Sequence, residues 1–159
     1  MQKFTDLQAL KVEKSAVSIG KYDALHLGHQ HILKSLISFA HSSSLPAAVV
    51  TFDRHPNHIL NPERIPVPVL GNSQREKIFE ELGVDILLQL KFDHELASLP
   101  ATDFIRRYLV DGLHADKVFV GEHFRFGQGG QGDPSLIQSS GLEVEAIRHL
   151  DLNGEKVST

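Results

Sequence analysis

The stretch AVSIGKYDALHLGHQHILKSLISFA, residues 16–40, joins a strand pattern to a helix pattern through a short loop. Its first five residues, 16–20, are typical of a short buried strand. From 28 to 41 apolar residues recur at spacings of three and four, which predicts a helix with one apolar face, formed by Ile32, Leu33, Leu36, Ile37 and Ala40. A strand followed directly by a helix is the repeating unit of an α/β protein.

The same alternation continues along the chain. We expect further strands at 47–52, 84–92, 115–121 and 142–147. We expect the intervening helices to begin at the Ser73–Glu76 capping box, at Thr102 and at Asp133-Pro134. The prolines of 53–72 predict a long irregular loop, and Asn153-Gly154 predicts a hairpin turn. The whole pattern indicates an α/β sandwich with a mainly parallel sheet.

The amino-acid composition excludes several classes of function. The chain has 159 residues, 41% of them hydrophobic and 23% charged, which suits one globular domain. A formal net charge of -4 gives no basic field for nucleic acid, so no nucleic-acid partner is expected. No apolar run approaches the roughly 20 residues of a membrane span, and no signal-peptide core is present, so we expect a cytoplasmic protein without a membrane partner. The absence of cysteine excludes disulfides and thiolate metal sites.

The segment His26-Leu27-Gly28-His29 lies where the first strand meets the first helix. A helix N-terminus offers unpaired N–H groups and partial positive charge, and Gly28 lets a phosphate approach the backbone. His26 and His29 are three apart and can face the same side. The segment therefore favours a nucleotide phosphate site over chance histidines at a helix start. A zinc site that includes His31 is disfavoured, because His29 and His31 point in different directions on a helix.

Two other loops follow predicted strands, and ligands bind beyond the carboxyl ends of strands in such sheets. They are TFDRHP (51–56) and VGEHFRFG (120–127). Their phenylalanines suit a flat aromatic ligand, and their cations suit its phosphate. Core packing of the aromatic rings and solvated loop charge are the alternative interpretations.

Taken together, Gly20–His29, Thr51–Pro56 and Val120–Gly127 resemble the motifs of the FMN adenylyltransferase domain of bacterial FAD synthetases. That domain is usually fused to a riboflavin kinase domain. The resemblance runs from about residue 15 to the end of the chain. It implies a Rossmann-like α/β/α sandwich of the nucleotidylyltransferase type.

The chain departs from the family pattern at five positions, of which Gly130 lies in the glycine-rich stretch after the predicted strand 115–121. Tyr22 stands where the family has phenylalanine, and Ala24 where it has glycine. Arg54 replaces a proline, and His123 replaces an acid or amide.

The resemblance implies transfer of AMP from ATP to FMN, with His26 and His29 as the catalytic residues that stabilise phosphate charge. Mg²⁺ would bridge the ATP phosphates, held mainly by them and by water, so no metal-ligating residue is assigned. The implied ATP-binding residues are Gly20, Lys21, Tyr22, Asp23, His26, Gly28, His29, Ser158 and Thr159. The implied FMN-binding residues are Phe52, Arg54, His55, Pro56, Gly121, His123, Phe124, Arg125 and Phe126.

The same resemblance predicts the domain content. Residues 1–159 would form the adenylyltransferase domain without its C-terminal end, because Val157-Ser158-Thr159 only begins a motif that the family continues into an arginine-bearing helix. The riboflavin kinase domain would be absent from this chain. Two other functions stay open: adenylyl or cytidylyl transfer to another phosphate-bearing acceptor, and non-catalytic binding of flavin or nucleotide.

Overall fold

Strands and helices alternate through residues 1–23, 27–67 and 70–148, which are the residues that the computed structural model describes; at Leu27 and Gly28 it describes the backbone only. The strands are β1 (Gln2–Phe4), β2 (Ser15–Ile19), β3 (Ala47–Phe52), β4 (Ile86–Leu90), β5 (Ala115–Gly121) and β6 (Glu143–Ile147). They form one six-stranded sheet in the order β1-β4-β3-β2-β5-β6. Every pairing between them is parallel.

The connections between strands are mostly helical. The helices are α1 (Leu27–Ser42), α2 (Asn57–Leu60), α3 (Asn72–Leu82), α4 (His94–Ser98), α5 (Ala101–Phe104) and α6 (Pro134–Ser139). A π-helix, Ile105–Gly112, continues α5, and 3-10 turns occur at Pro62–Arg64 and Gln128–Gly130. None of the helices in the described ranges has the length and apolarity needed to cross a lipid bilayer.

The sheet has an apolar layer on each face, which confirms the predicted α/β/α sandwich. On one face Leu36 of α1 and Phe79 of α3 pack against the sheet. On the other face Phe104 of α5, Leu109 of the π-helix and Ile137 of α6 do so. All six residues of β3 are buried, as expected of a central parallel strand that is covered on both faces.

The strand order creates a switch point at β2. The chain passes from β2 to β3 and β4 on one side, then crosses back to pair β5 with the other side of β2. The loops that follow β2 and β5 therefore leave the sheet in opposite directions and open a crevice at its carboxyl edge. This edge is where the three motif loops were expected.

β1 was not predicted from the sequence. It is a three-residue edge strand that pairs only with β4, and its residues Gln2 and Lys3 are exposed. A strand of three residues at the edge of a sheet is too short to show the alternation of apolar and polar residues from which strands are predicted.

Two predicted helix starts are wrong. α3 begins at Asn72, and the Gln74 side chain accepts a hydrogen bond from the Gly71 N–H at 2.8 Å, so Ser73 lies inside the helix and does not cap it. α5 begins after Pro100, so Thr102 is also inside its helix. Pro100, with its fixed φ of -55°, is the residue before this helix, and no side chain caps the helix there.

Other helix signals have clear outcomes. Asp133 caps α6 as predicted, because its side chain accepts a hydrogen bond from the Leu136 N–H at 2.8 Å. The loop 53–72 contains α2 and a 3-10 turn, so it is less irregular than expected. The predicted Asn153-Gly154 turn lies outside the described residues.

We expect Gly127→Ala to lower the free energy of unfolding by roughly 2–5 kcal/mol. Gly127 has a φ of +77°, and an added Cβ would lie 2.6 Å from the Cα atom of Ala101. The matched control is Gly129→Ala, which has a φ of +62° but nothing within 4 Å of its added Cβ. Urea unfolding should show a loss of only about 1–2 kcal/mol for the control. Equal losses in the two variants would contradict the packing of this loop against α5.

Candidate functional site

Two neighbouring cavities open at the carboxyl edge of the sheet. The first, called here the β2–β5 cavity, has a volume of about 130 Å³. The second, called the β3 cavity, has a volume of about 180 Å³ and lies between the β3 loop, α4, α5 and the β5 loop. Lys21 and Arg125 line both cavities, so these two cations lie at their shared wall.

The β2–β5 cavity is built on a tyrosine that is itself buried. Tyr22 adopts a φ of +50° and is 1% exposed, and its hydroxyl forms a short hydrogen bond with Ser18. Burial raises the pKa of Tyr22 well above its ordinary value. Its ring meets His29 edge-on, with ring centroids 5.2 Å apart. Tyr22 therefore packs against the imidazole of His29 at the wall of the cavity.

The glycine that precedes this loop is required by that packing. A Cβ atom at Gly20 would lie 2.8 Å from Cε2 of the Tyr22 ring. The Gly20 N–H also donates to the Val50 carbonyl at 3.1 Å, which continues the β2–β3 pairing by one residue. The loop thus leaves the sheet at a fixed position.

The guanidinium of Arg75 connects three elements at this edge. It is 5% exposed, and it donates to the carbonyls of Lys21 at 2.7 Å and Phe52 at 2.8 Å. It also donates to Thr51 Oγ1 at 3.3 Å and to Asn72 Oδ1 at 2.9 Å. Burial lowers the pKa of Arg75, and the carboxylates of Asp23, Glu76 and Asp53 oppose that shift.

The loop after β3 is held by backbone and side-chain bonds. Asp53 Oδ1 accepts from the Phe92 N–H at 2.9 Å and lies 3.6 Å from Nε of Arg54. His55 Nδ1 accepts from the Asn57 N–H at 3.0 Å, at the start of α2. Burial and the positive charge of Lys21 lower the pKa of His55, so its imidazole is neutral near pH 7. A neutral His55 keeps its Nε2–H as a donor.

The loop after β5 combines an aromatic pair with three polar side chains, those of Glu122, His123 and Arg125. The rings of Phe124 and Phe126 are stacked, with centroids 5.9 Å apart and an interplanar angle of 16°. His123 Nε2 lies 3.3 Å from Glu122 Oε1. The Arg125 side chain is 65% exposed, and its Nη1 atom lies 3.8 Å from Asp133. Arg125 is therefore only loosely paired and can reach toward a ligand.

The structure brings most of the residues predicted for ATP to one cavity. Gly20, Lys21, Tyr22, Asp23 and His29 line the β2–β5 cavity. Gly28 lies in the first turn of α1. His26, Ser158 and Thr159 lie outside the described residues.

The residues predicted for FMN are divided between the two cavities. Phe52, Pro56, Arg125 and Phe126 line the β3 cavity. Gly121, His123 and Phe124 line the β2–β5 cavity. Arg54 and His55 lie in the β3 loop but are not among the described residues that line either cavity. The role of each residue stays a prediction.

Sequence reasoning missed several residues of this edge. Arg75 has no motif signal, because its partners lie 23 and 54 residues away in the chain. The apolar wall of the β3 cavity contains further residues that no motif identified, namely Leu60, Phe92, Leu96, Ala97 and Phe104. These residues reach the cavity because of how α2, α4 and α5 pack, and that packing cannot be predicted from local sequence patterns.

The sequence comparisons with known proteins agree on one family. The sequence model described as FAD synthetase matches residues 9–159. A bifunctional riboflavin kinase/FMN adenylyltransferase from Pseudomonas fluorescens is 37% identical, over 89% of this chain and 47% of its own length. Proteins of the same name from Escherichia coli K12 and Haemophilus influenzae are each 33% identical, over 82% and 91% of this chain. These two matches cover 42% and 48% of the relatives' own lengths.

Solved structures with the same architecture have other names. A Streptococcus pneumoniae structure titled as a macrolide-efflux protein has a TM-score of 0.84 and 25% identity, over 99% of this chain and 52% of its own. A universal stress protein from Archaeoglobus fulgidus has a TM-score of 0.53 and 14% identity, over 86% of this chain and 100% of its own, so it shows the fold alone.

The chain spans about half the length of the curated relatives that it matches. On the family match and these relatives, the chain belongs to the FAD synthetase family.

Proposed function

We propose that this chain transfers AMP from ATP to FMN, giving FAD and pyrophosphate. The observation that carries the proposal is the pair of adjacent cavities that share Lys21 and Arg125. A transfer between two phosphate-bearing substrates needs two neighbouring sites with cations where the phosphates meet. The relatives named riboflavin kinase/FMN adenylyltransferase support this choice of substrates.

The flavin ring of FMN occupies the β3 cavity in this proposal. Phe52 and Phe92 meet edge-on there, with centroids 5.4 Å apart, and Phe104 and Phe126 lie opposite at 5.3 Å from each other. A flavin is a large, flat, mostly apolar ring, and aromatic walls favour it through area burial and offset ring contacts. The phosphate of FMN points toward Lys21 and the neighbouring β2–β5 cavity.

ATP occupies the β2–β5 cavity, with its phosphates toward the first turn of α1. That helix is 16 residues long, and its N-terminal N–H groups carry partial positive charge. His29 lies in this first turn, is 5% exposed and lines the cavity. His29 stabilises the negative charge that builds up on the leaving phosphates.

In the reaction an FMN phosphate oxygen forms a bond to the α-phosphorus of ATP. The bond between that phosphorus and the oxygen that bridges to the β-phosphorus breaks, and pyrophosphate leaves with the electron pair. Orientation and charge stabilisation carry such a transfer. Mg²⁺ would supply further neutralisation of the phosphates when bound. Asp23, the carboxylate among the described residues of the β2–β5 cavity, suits the oxygen ligands that Mg²⁺ prefers.

The names of the relatives also bear on the rest of the protein. They are called bifunctional and extend well beyond the matched region. We expect a riboflavin kinase domain in the same natural polypeptide, which would supply FMN to the adenylyltransferase. We also expect the protein to be cytoplasmic.

The test of the function is incubation of the full-length protein with FMN, ATP and Mg²⁺, followed by chromatography for FAD. We expect FAD and pyrophosphate in equal amounts, and quenching of FMN fluorescence on addition of protein. Quenching without FAD would indicate a flavin-binding protein. No quenching, with AMP transfer to another phosphorylated acceptor, would indicate the other transferase.

We expect His29→Ala to lower kcat for FAD formation by about 10²-fold, the typical loss when one charge-stabilising donor is removed. The matched control is His31→Ala, which changes an exposed histidine two positions further along α1 and should leave the rate within about twofold. Steady-state kinetics on the full-length protein measures both. A near-normal rate for His29→Ala would contradict the proposed role of His29.

We expect Ala97→Phe to weaken FMN binding by about tenfold or more, because the larger side chain fills part of the β3 cavity. The dissociation constant for ATP should stay within about twofold, since Ala97 does not line the β2–β5 cavity. Ala146→Phe, at an exposed position of β6, is the matched control. Fluorescence titration with FMN measures the effect, and equal weakening of both substrates would contradict the proposed division of the cavities.

A further inference from the structure

Arg75 is a buried cation that belongs to neither cavity. Its side chain is 5% exposed, and it lies on α3, beneath the loops that carry the predicted ligand residues. Both terminal nitrogens donate to protein acceptors: Nη1 to the Lys21 carbonyl and Thr51 Oγ1, and Nη2 to the Phe52 carbonyl and Asn72 Oδ1. Since these donors are used within the protein, Arg75 acts through the backbone that it holds.

The two carbonyls that Arg75 holds belong to two segments, the loop after β2 and the end of β3, where the next loop begins. Lys21 follows β2, and Phe52 ends β3 and lines the β3 cavity. One planar guanidinium therefore fixes the separation of the two segments, which a flexible point charge such as an ammonium does less well. Thr51 adds a second bond to the same Lys21 carbonyl, with its hydroxyl donating at 3.0 Å.

The Lys21 side chain starts from this fixed backbone and lines both cavities. Its ammonium is close enough to His55 to lower the pKa of that imidazole. No carboxylate of a described residue forms an ion pair with Lys21, unlike Arg125, which lies 3.8 Å from Asp133. Lys21 thus offers a charge at the shared wall that described acidic side chains do not neutralise.

We propose that Arg75 is a positioning residue that holds Lys21 at the wall between the two cavities and so aligns the FMN phosphate with the α-phosphate of ATP. The proposal rests on the proposed function. Lys21 contacts both phosphates, and Arg75 contacts neither. Alignment of two bound reactants matters more for rate than for affinity, since a displacement of about 1 Å can cost about 10²-fold in rate.

The alternative is that Arg75 only stabilises the fold. Removal of a buried guanidinium leaves the acceptors that it bonds without a partner, which lowers the stability of the fold. A purely structural role predicts lower thermal stability and a smaller active fraction, with unchanged kcat per folded molecule. The positioning role predicts a change in kcat that depends on the side chain of Lys21.

The experiment is a double-mutant cycle with Arg75→Lys and Lys21→Ala in the full-length protein. We expect Arg75→Lys to lower kcat by about tenfold to a hundredfold per folded molecule. The dissociation constants for FMN and for ATP should change by less than about threefold, because the cavities themselves remain. In the Lys21→Ala background, Arg75→Lys should lower kcat by less than about threefold, because the side chain that it positions is gone.

Two further variants keep the test decisive. Thr51→Val keeps the guanidinium but removes both the Thr51 bond to the Lys21 carbonyl and one of the two acceptors of Arg75 Nη1, so it should lower kcat in the same Lys21-dependent way, including where Arg75→Lys does not fold. Ile137→Val, a fully buried residue of α6 on the opposite face from α3, is the control for lost stability and should leave kcat unchanged.

The outcomes separate this proposal from the function on which it rests. Absence of FAD formation by the unmutated protein would overturn both. Normal FAD formation by the unmutated protein, with losses for Arg75→Lys and Lys21→Ala that multiply independently, would overturn the positioning role alone. Loss of kcat that disappears in the Lys21→Ala background would support it.

Discussion

The position of β2 between β3 and β5 is the constraint on which the site depends. β2 is paired in parallel with β3 on one side and with β5 on the other, and all five of its residues are buried. Because parallel strands end at the same edge, the loops after β2, β3 and β5 converge there. Because the chain leaves β2 toward β3 and returns to pair with β5, the crevice between the departing loops is not closed by either connection. Both cavities follow from this arrangement.

Polar groups buried beneath this edge fix the loops more firmly than apolar packing alone. A buried cation is costly unless its donors are satisfied, and Arg75 has acceptors on three elements. Tyr22 is similarly enclosed, with its hydroxyl bonded to Ser18 and its ring against Phe79 at 5.5 Å. Each group has low-energy partners only in one loop arrangement, so it disfavours others. The ligand-facing surface is therefore preformed to a large extent.

The sequence predicts the parts of this structure that depend on local periodicity, and it misses those that depend on distant partners. The apolar run of β3 and the helical spacing of α1 identify both elements, and the family motifs identify the three loops. Arg75 could not be found in this way, since its role depends on carbonyls from two other segments. The β5 loop was assigned to one substrate, yet His123 lines one cavity and Phe126 the other. The chain turns after β5, with the Phe124 N–H donating to the Gly121 carbonyl at 3.1 Å, and a linear motif does not show how such a turn divides its side chains.

In the proposed reaction two anionic substrates would lie in adjacent cavities and repel each other, and the shared wall would have to reduce that repulsion. At a separation of about 5 Å and an effective dielectric constant near 20, two unit charges repel by about 3 kcal/mol. Arg125 is 65% exposed, so solvent screens much of its charge and its side chain can follow a moving phosphate. Lys21 is half-buried on a backbone that Thr51 and Arg75 both hold, so its charge is less screened and more fixed. The wall thus combines one adaptable cation with one fixed cation, and in the proposed reaction the fixed one would determine where the two phosphates meet.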